Sequence, residues 1–281
     1  MGKGKDIKLK QKYDVETWFF ENGLPYARIG KKPDIIINIE VLTYKHEPQS
    51  GFILKQFIKD SQIFTEDYTV YLIGRKPNLP KNYFMDKMAD DYAQVIRSEF
   101  DKPVIIMGAS TGGQIAQYLA ANHSDIVQKL IIISAAYKIS EQGEEIERKS
   151  AEYFEKEKYG KYLSTTMDLV FEPGIKRSFI KFFIRVIGKF IVGEIKYPND
   201  YLVEVKADRE MNFKDRLNEI NVPTLILSGE RDICYGVEDV QEIAKGIPNS
   251  ELILYKNYGH NLIKANRKQV QKDILTFLRK Y

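Results

Sequence analysis

The amino-acid sequence predicts an α/β fold in which a mostly parallel central sheet is flanked by helices and a helical segment is inserted between two strands. From about residue 33 onward, short and almost wholly apolar runs alternate with stretches of helical periodicity. Apolar runs without polar alternation are typical of strands covered on both faces, as in a parallel sheet. This rhythm stops between about residues 137 and 208, where charged helical segments occur without an obvious strand.

Six apolar runs are predicted to be the parallel strands. They are residues 34–39, 68–73, 103–107, 130–134, 223–228 and 251–255. Helical periodicity is found at residues 52–60, 85–100, 112–122 and 267–280. Upstream of these, residues 16–20 and 25–29 are predicted to form an antiparallel edge hairpin, because the segment ENG between them suits a tight turn. The strand–helix order favours a doubly wound architecture.

The interruption in this order divides the chain into two predicted units. Residues 1–136 and 209–281 form the core, and residues 137–208 form a helical cap, or lid. One stretch of the cap carries a basic residue at every fourth position, with large apolar residues filling the positions between. These basic residues are Arg177, Lys181, Arg185 and Lys189. On a helix the pattern gives a basic stripe opposite a wide apolar face, although Gly188 and Gly193 are expected to weaken a single long helix.

Composition narrows the classes of function. The 281 residues include 43 basic and 39 acidic side chains, a net charge of +4 that gives no reason to expect a nucleic-acid partner. With one cysteine and three histidines, a Cys/His metal site is disfavoured, and we expect neither a metal nor a cofactor. The basic N-terminal segment is not followed by an apolar region, and no run of 18 apolar residues occurs, so the expected location is the cytoplasm.

The segment GASTGG carries the first chemical signal. It places Ser110 between the predicted strand 103–107 and a predicted helix. A G-x-S-x-G in that context is typical of a nucleophile elbow, a sharp turn that exposes the serine. Gly108 and Gly112 are expected because side chains there would clash across the turn. By chance the motif should occur only on the order of 0.1 times in a chain of this size.

An acid and a base follow Ser110 in the chain. Asp232 comes just after the predicted strand 223–228, and His260 just after the predicted strand 251–255. Both loops are expected at the carboxyl ends of parallel strands, the edge where Ser110 also lies. We therefore predict a catalytic triad in which His260 takes the proton of Ser110 and Asp232 orients the imidazole.

Other candidate residues are weaker. Glu230 is the rival acid, but Asp232 lies further into its loop. His123 is interpreted as a residue at a helix end. His46 follows the predicted strand 34–39 and could line the site, but a solvent-exposed loop residue is the favoured interpretation. Cys234 lies two residues past Asp232 and is interpreted as a small packing residue.

On these residues the chain resembles the alpha/beta-hydrolase superfamily over nearly all of its length. The matching segments are GASTGG, PTLILSGERD, YGHN and the helix MADDYAQVI ahead of the elbow strand. The resemblance implies an alpha/beta-hydrolase fold with Ser110 as nucleophile, Asp232 as acid and His260 as base. It specifies the superfamily and no substrate. Members with epoxide hydrolase or haloalkane dehalogenase activity carry Asp where this chain has Ser110, which disfavours those activities.

One departure from the superfamily concerns the oxyanion hole. Members usually carry His-Gly after the third strand, where the backbone N–H of the next residue is one donor. Here Glu40 stands at the glycine position and Val41 at the donor position. A backbone donor needs no particular side chain, so the Val41 N–H together with the Thr111 N–H is predicted to form the hole. A Glu40 side chain pointing into the site would repel an oxyanion.

Together these observations predict hydrolysis of a carboxylic ester through an acyl-enzyme on Ser110. The expected partner is a small-molecule ester, with a lipid-like or other apolar acyl group favoured by the cap pattern. Two interpretations of that pattern stay open. The helix either packs on the core, or forms a lid over an acyl pocket that also contacts an anionic membrane surface. Thioesterase, peptidase, acyltransferase and lyase activities use the same triad, and a non-catalytic ligand-binding protein is the alternative from another class.

Overall fold

Eight strands form one mostly parallel sheet in the computed structural model, which describes residues 3–280. They are β1 (Glu16–Phe19), β2 (Pro25–Ile29), β3 (Asp34–Ile39), β4 (Tyr68–Ile73), β5 (Val104–Ala109), β6 (Val127–Ile133), β7 (Thr224–Gly229) and β8 (Ser250–Tyr255). Their spatial order is β1-β2-β4-β3-β5-β6-β7-β8. The β1–β2 and β2–β4 pairs are antiparallel and the remaining pairs are parallel, so the predicted edge hairpin and the six predicted parallel strands are confirmed.

The helices cover both faces of this sheet. They are α1 (Lys3–Tyr13), α2 (Gly51–Ser61), α3 (Met85–Glu99), α4 (Thr111–Asn122), α5 (Glu141–Glu155), α6 (Tyr159–Val170), α7 (Ile175–Val192), α8 (Asn199–Glu210), α9 (Val237–Gly246), α10 (Leu262–Ala265) and α11 (Arg267–Lys280). Apolar residues of α3, α4 and α9 form the core on one face, and those of α2 and α11 form it on the other. Every residue of β5 and β7 is buried, which explains their unbroken apolar sequences.

Four consecutive helices, α5 to α8, lie between β6 and β7 in the chain, and we call residues 141–210 the helical insertion. They enclose a small core of their own, in which the rings of Phe154, Tyr162 and Tyr201 lie 4.6–5.0 Å apart. No helix within residues 3–280 has both the length and the apolar character needed to pass through a bilayer.

Two features differ from what the sequence predicts. Helix α1 was not predicted, because it is rich in lysine and lacks an apolar period; it packs on α2, where Asp6 accepts a hydrogen bond from the Gly51 N–H at 2.9 Å. Helix α7 runs unbroken through Gly188, contrary to the expected weakening, and ends before Gly193. Residues 1, 2 and 281 of the predicted core lie outside the described residues.

Candidate functional site

The backbone at Ser110 is held in a sharp turn between β5 and α4. Its φ of 52° and ψ of −131° are rarely adopted by a residue with a side chain, and such strain persists only where the surroundings enforce it. A Cβ on Gly108 would lie 2.3 Å from the Gly112 carbonyl oxygen, and one on Gly112 would lie 2.4 Å from that of Ile39. The two glycines of the motif are therefore required by contacts among β3, β5 and α4.

The loops after β7 and β8 bring an acid and a base to this serine. His260 Nε2 lies 3.1 Å from Ser110 Oγ, and its Nδ1 lies 2.9 Å from one oxygen of Asp232 and 3.2 Å from the other. Asp232 is buried, and one of its oxygens accepts the backbone N–H groups of Cys234 and Tyr235 at 2.8 and 3.2 Å. These contacts form an unbroken hydrogen-bonded chain from serine through histidine to aspartate.

The electrostatics around His260 favour its charged form. Burial lowers the pKa of the imidazole, but the adjacent Asp232 carboxylate, together with the sulfur of Cys234, outweighs this effect and holds the pKa of His260 well above its ordinary value. An aspartate placed in this way stabilises the imidazolium that forms when the histidine accepts a proton.

The loop after β3 is fixed by a buried arginine. Arg75 donates to the backbone carbonyls of both Glu40 and Val41, the latter at 2.8 Å. The Glu40 carboxyl lies against Gly74 and accepts a hydrogen bond from Gln49 at 3.4 Å. Burial raises the pKa of Glu40 to about 7, although the Arg75 charge opposes that rise. Glu40 thus occupies a buried polar recess made by residues of neighbouring segments.

Helix α8 presents three buried carboxylates to the core. Asp200, Glu204 and Asp208 are four residues apart and therefore lie on one face of the helix. Asp200 accepts the backbone N–H groups of Asn78 and Leu79, each at 2.8 Å. Glu204 pairs with Arg75, the residue that holds the loop after β3. Asp208 accepts a hydrogen bond from Thr111 Oγ1 at 2.7 Å, directly beside Ser110 in the chain.

His46 belongs to the same network, so its interpretation as a solvent-exposed loop residue is wrong. Its side chain is fully buried between Glu204 and Asp200, and its Nδ1 lies 3.1 Å from the Lys76 carbonyl oxygen. Burial lowers the pKa of His46, but the Glu204 carboxylate and the hydrogen bonds to Asp200 and Glu204 have a larger, opposite effect. The net result is a pKa raised to about 9. Two carboxylates thus compensate a buried imidazolium.

A second carboxyl from the helical insertion lies beside Asp208. Burial raises the pKa of Glu147, on α5, well above its ordinary value, and it raises that of Asp208 to about 6. The negative charge of Asp208 raises the pKa of Glu147 further, so ionisation of one carboxyl disfavours ionisation of the other. Tyr235 OH lies 3.5 Å from Asp208 Oδ1, the carboxyl oxygen that does not bind Thr111. Two buried carboxyls with raised pKa values therefore lie behind the serine turn.

The remaining sequence candidates occupy simpler positions. Glu230 is exposed, and His260 is hydrogen-bonded to Asp232 instead. His123 follows the end of α4 and contacts Asp90 at 2.9 Å. Cys234 is buried, which raises the pKa of its thiol. With Asp232 and His260 it offers three ligand-type atoms within 4.8 Å of one another, but those two residues already hydrogen-bond each other.

Thus the site draws on a network that local sequence patterns do not predict, made by Arg75, His46, Glu147 and the acidic face of α8. The four-residue spacing of Asp200, Glu204 and Asp208 was visible in the sequence. An acidic stripe on a helix usually faces solvent, so the spacing alone did not indicate a buried site.

The chain matches a known protein family. A family model described as alpha/beta hydrolase fold matches residues 66–266. The chain belongs to the alpha/beta hydrolase fold family. The crystal structure of MGS-M2, an alpha/beta hydrolase enzyme from a Medee basin deep-sea metagenome library, shares its fold with a TM-score of 0.79 at 15% identity. That similarity covers 94% of this chain and 97% of the other.

Named relatives of this family member include esterases and a lipase. The bifunctional esterase/perhydrolase DCH of Acinetobacter calcoaceticus is 27% identical over 218 residues, covering 73% of this chain and 78% of the relative. Human monoacylglycerol lipase ABHD6 is 24% identical over 185 residues, covering 63% of this chain and 55% of the relative. Such relatives support a hydrolase activity for this family member.

Proposed function

We propose that this protein is a serine hydrolase that cleaves a carboxylic ester through an acyl-enzyme on Ser110. The observation that carries the proposal is the hydrogen-bonded chain from Ser110 through His260 to Asp232, which lies where the carboxyl ends of three parallel strands meet. The name of the Acinetobacter calcoaceticus esterase/perhydrolase points to the same chemistry.

The reaction follows from the roles of these groups. His260 Nε2 accepts the proton of Ser110 as Oγ attacks the ester carbonyl carbon, and a tetrahedral intermediate forms. The imidazolium then protonates the leaving alkoxide as the C–O bond breaks, which releases the alcohol and leaves the acyl group on Ser110. A water molecule deprotonated by His260 attacks the acyl-enzyme, and Ser110 leaves with that proton as the acid is released. Asp232 stabilises the imidazolium throughout.

The negative oxygen of each tetrahedral intermediate requires two donors, which we assign to the backbone N–H groups of Thr111 and Val41. Thr111 is the first residue of α4, where the helix dipole favours a negative charge. The support for Val41 comes from Arg75, which binds the Val41 and Glu40 carbonyls and so limits the orientations open to the Val41 peptide. The Glu40 carboxyl lies against Gly74, in its own recess.

For the substrate we propose an ester with an apolar acyl group, with the helical insertion as the cap over Ser110. The bond between Asp208 and Thr111 supports this placement, because it brings α8 next to the serine turn. The name of the monoacylglycerol lipase relative favours an apolar acyl chain. Helix α7 does not contribute to the acyl pocket in this proposal, since most of its large apolar side chains are exposed.

Replacing the nucleophile tests the proposal directly. Ser110→Ala should lower kcat for p-nitrophenyl esters by at least about 10³-fold and abolish labelling by a fluorophosphonate probe, because no other group supplies the attacking oxygen. Ser98→Ala, at an exposed position on α3, is the matched control and should change neither. Full turnover by Ser110→Ala would refute the assignment. A wild-type protein that binds esters but neither turns them over nor reacts with the probe would point to a non-catalytic binding protein.

The pH profile tests His260 as the base. Only the neutral imidazole accepts a proton, and the pKa of His260 is raised, so kcat/KM should fall as the pH drops through a midpoint above the ordinary histidine value of about 6.5. Initial rates with a soluble short-chain ester across a buffer series would measure this midpoint. A profile that stays flat down to about pH 4, well below the ordinary value, would exclude His260.

A further inference from the structure

Helix α7 leaves an apolar surface uncovered. Eight of the fifteen large apolar side chains that are exposed among the described residues lie on this one helix. They are Ile175, Phe179, Phe182, Phe183, Val186, Ile187, Phe190 and Ile191. Phe182 is 65% exposed and Phe190 is 88% exposed, so these rings make little contact with the protein. Contiguous apolar surface of this kind marks an interaction site in a folded protein.

The opposite side of α7 is the one that packs on the protein. Its less exposed residues recur every four positions at Ile180, Ile184, Gly188 and Val192. A Cβ on Gly188 would lie 2.5 Å from the Cα of Gly160, so α6 and α7 approach each other too closely there for any larger residue. This contact fixes the rotation of α7 about its axis. The exposed aromatic side chains therefore point away from the rest of the molecule.

The charge of α7 is entirely basic. The helix contains five lysine and arginine residues, and no acidic residue occurs between Gly174 and Gly193. Arg177 and Lys181 lie on the packed side, where both contact Asp168. Arg185 and Lys189 are exposed beside the apolar face, and none of the ion pairs within residues 3–280 includes either of them. Two uncompensated cations thus flank the exposed apolar surface.

We propose that this face of α7 docks on an anionic lipid surface, with the helix lying in the membrane plane. Exposed aromatic and aliphatic groups beside arginine and lysine are what an interfacial helix requires. At about 27 Å and with five basic residues, α7 is too polar to span a bilayer. A second copy of the chain is a poorer occupant, because pairing two α7 faces would bring their cations together. The proposal concerns a surface and not the reaction, so it does not rest on the proposed hydrolysis.

Vesicle co-sedimentation of the Ser110→Ala variant tests the proposal, because this variant leaves the lipids intact. The variant should bind vesicles of phosphatidylcholine with phosphatidylglycerol more strongly than vesicles of phosphatidylcholine alone, and the difference should shrink as NaCl is raised. In that background, Arg185→Glu with Lys189→Glu should lower the partition coefficient by about tenfold or more. Phe182→Ser with Phe190→Ser should lower it on vesicles of either composition.

The matched control changes the same charge elsewhere. Lys268 and Lys272 are exposed and four residues apart on α11, so Lys268→Glu with Lys272→Glu alters the net charge equally and should leave most of the binding in place. An equal loss in both charge variants would mean that binding follows net charge, which overturns the assignment to α7. Absence of vesicle binding would overturn it as well. Dimerisation abolished by the two Phe→Ser changes, without vesicle binding, would assign the face to a second copy.

Discussion

Helices α7 and α8 are consecutive in the helical insertion, but they place their charges in opposite environments. Helix α8 buries three carboxylates against the core, each with a partner of its own, whereas α7 exposes its unpaired cations and most of its large apolar side chains. A buried charge is tolerated only where partners are fixed in position, so α8 is held in one register on the core. An exposed apolar face requires no such geometry, and therefore suits a partner without defined shape, such as a lipid surface.

The largest effect should come from the centre of the α8 face. Glu204→Gln removes the charge that compensates Arg75 and His46, and should lower the free energy of unfolding by about 3–5 kcal/mol, as expected when one partner of a buried ion pair is lost. Urea denaturation would measure this change. Glu210→Gln, at the exposed end of the same helix, should change stability by less than about 1 kcal/mol. Equal stability of both variants would show that the α8 contacts do not hold the helix.

The same substitution separates positioning from stability. If Arg75 orients the peptide between Glu40 and Val41 only while Glu204 holds it, Glu204→Gln should lower kcat for a soluble ester and leave KM nearly unchanged. The negative charge on the carbonyl oxygen is absent from the bound ester and develops only on the way to the tetrahedral intermediate. These assays belong at a temperature where the variant is fully folded. A rise in KM alone would count against an oxyanion role for Val41.

The contrast between the two helices also shows what the sequence could not predict. The strands and the serine turn are specified by neighbouring residues, and they were predicted to within a few positions. The contact between His46 and Glu204 joins residues 158 positions apart, so no local sequence pattern predicts it. The amphipathic pattern of α7 was evident, but which face meets the protein depends on the contact of Gly188 with Gly160 on another helix.

A smaller effect is expected at the carboxyl pair behind Ser110. Because burial raises the pKa of Asp208 to about 6, the folded protein binds more protons than the unfolded chain between about pH 4 and 6. Stability from this group is therefore present at low pH and is lost as the pH rises through about 6. Asp208→Asn cannot ionise and can still accept from Thr111. As the pH rises from 4 to 7, the free energy of unfolding of this variant should therefore increase relative to wild type by on the order of 1–3 kcal/mol.

Urea denaturation at a series of pH values would measure this gain. Asp215→Asn, at an exposed position outside the helical insertion, is the control and should follow the wild-type curve. Glu147 also faces Asp208 and remains in the variant, so part of the wild-type pH dependence should persist. If the Asp208→Asn curve ran parallel to wild type across the whole range, Asp208 would not be the group that titrates.

The smallest effect is predicted for the outer face of α7, and there a null result is informative. Phe182→Ser and Phe190→Ser each remove a ring that is mostly in water already, and serine has nearly the helix propensity of phenylalanine, so each should change the free energy of unfolding by no more than about 0.5 kcal/mol. Val192→Ser, on the packed side of the same helix and fully buried, should cost about 2 kcal/mol or more, because it leaves a cavity and buries a hydroxyl.

Thermal or urea unfolding at low protein concentration, without lipid, compares the three variants. A cost at Phe182 or Phe190 as large as that at Val192 would mean that the outer face is covered in solution, by a second copy or by a different packing of α7. In that case α7 would not offer a free apolar surface to a membrane, and it would not differ from α8 in the way described above.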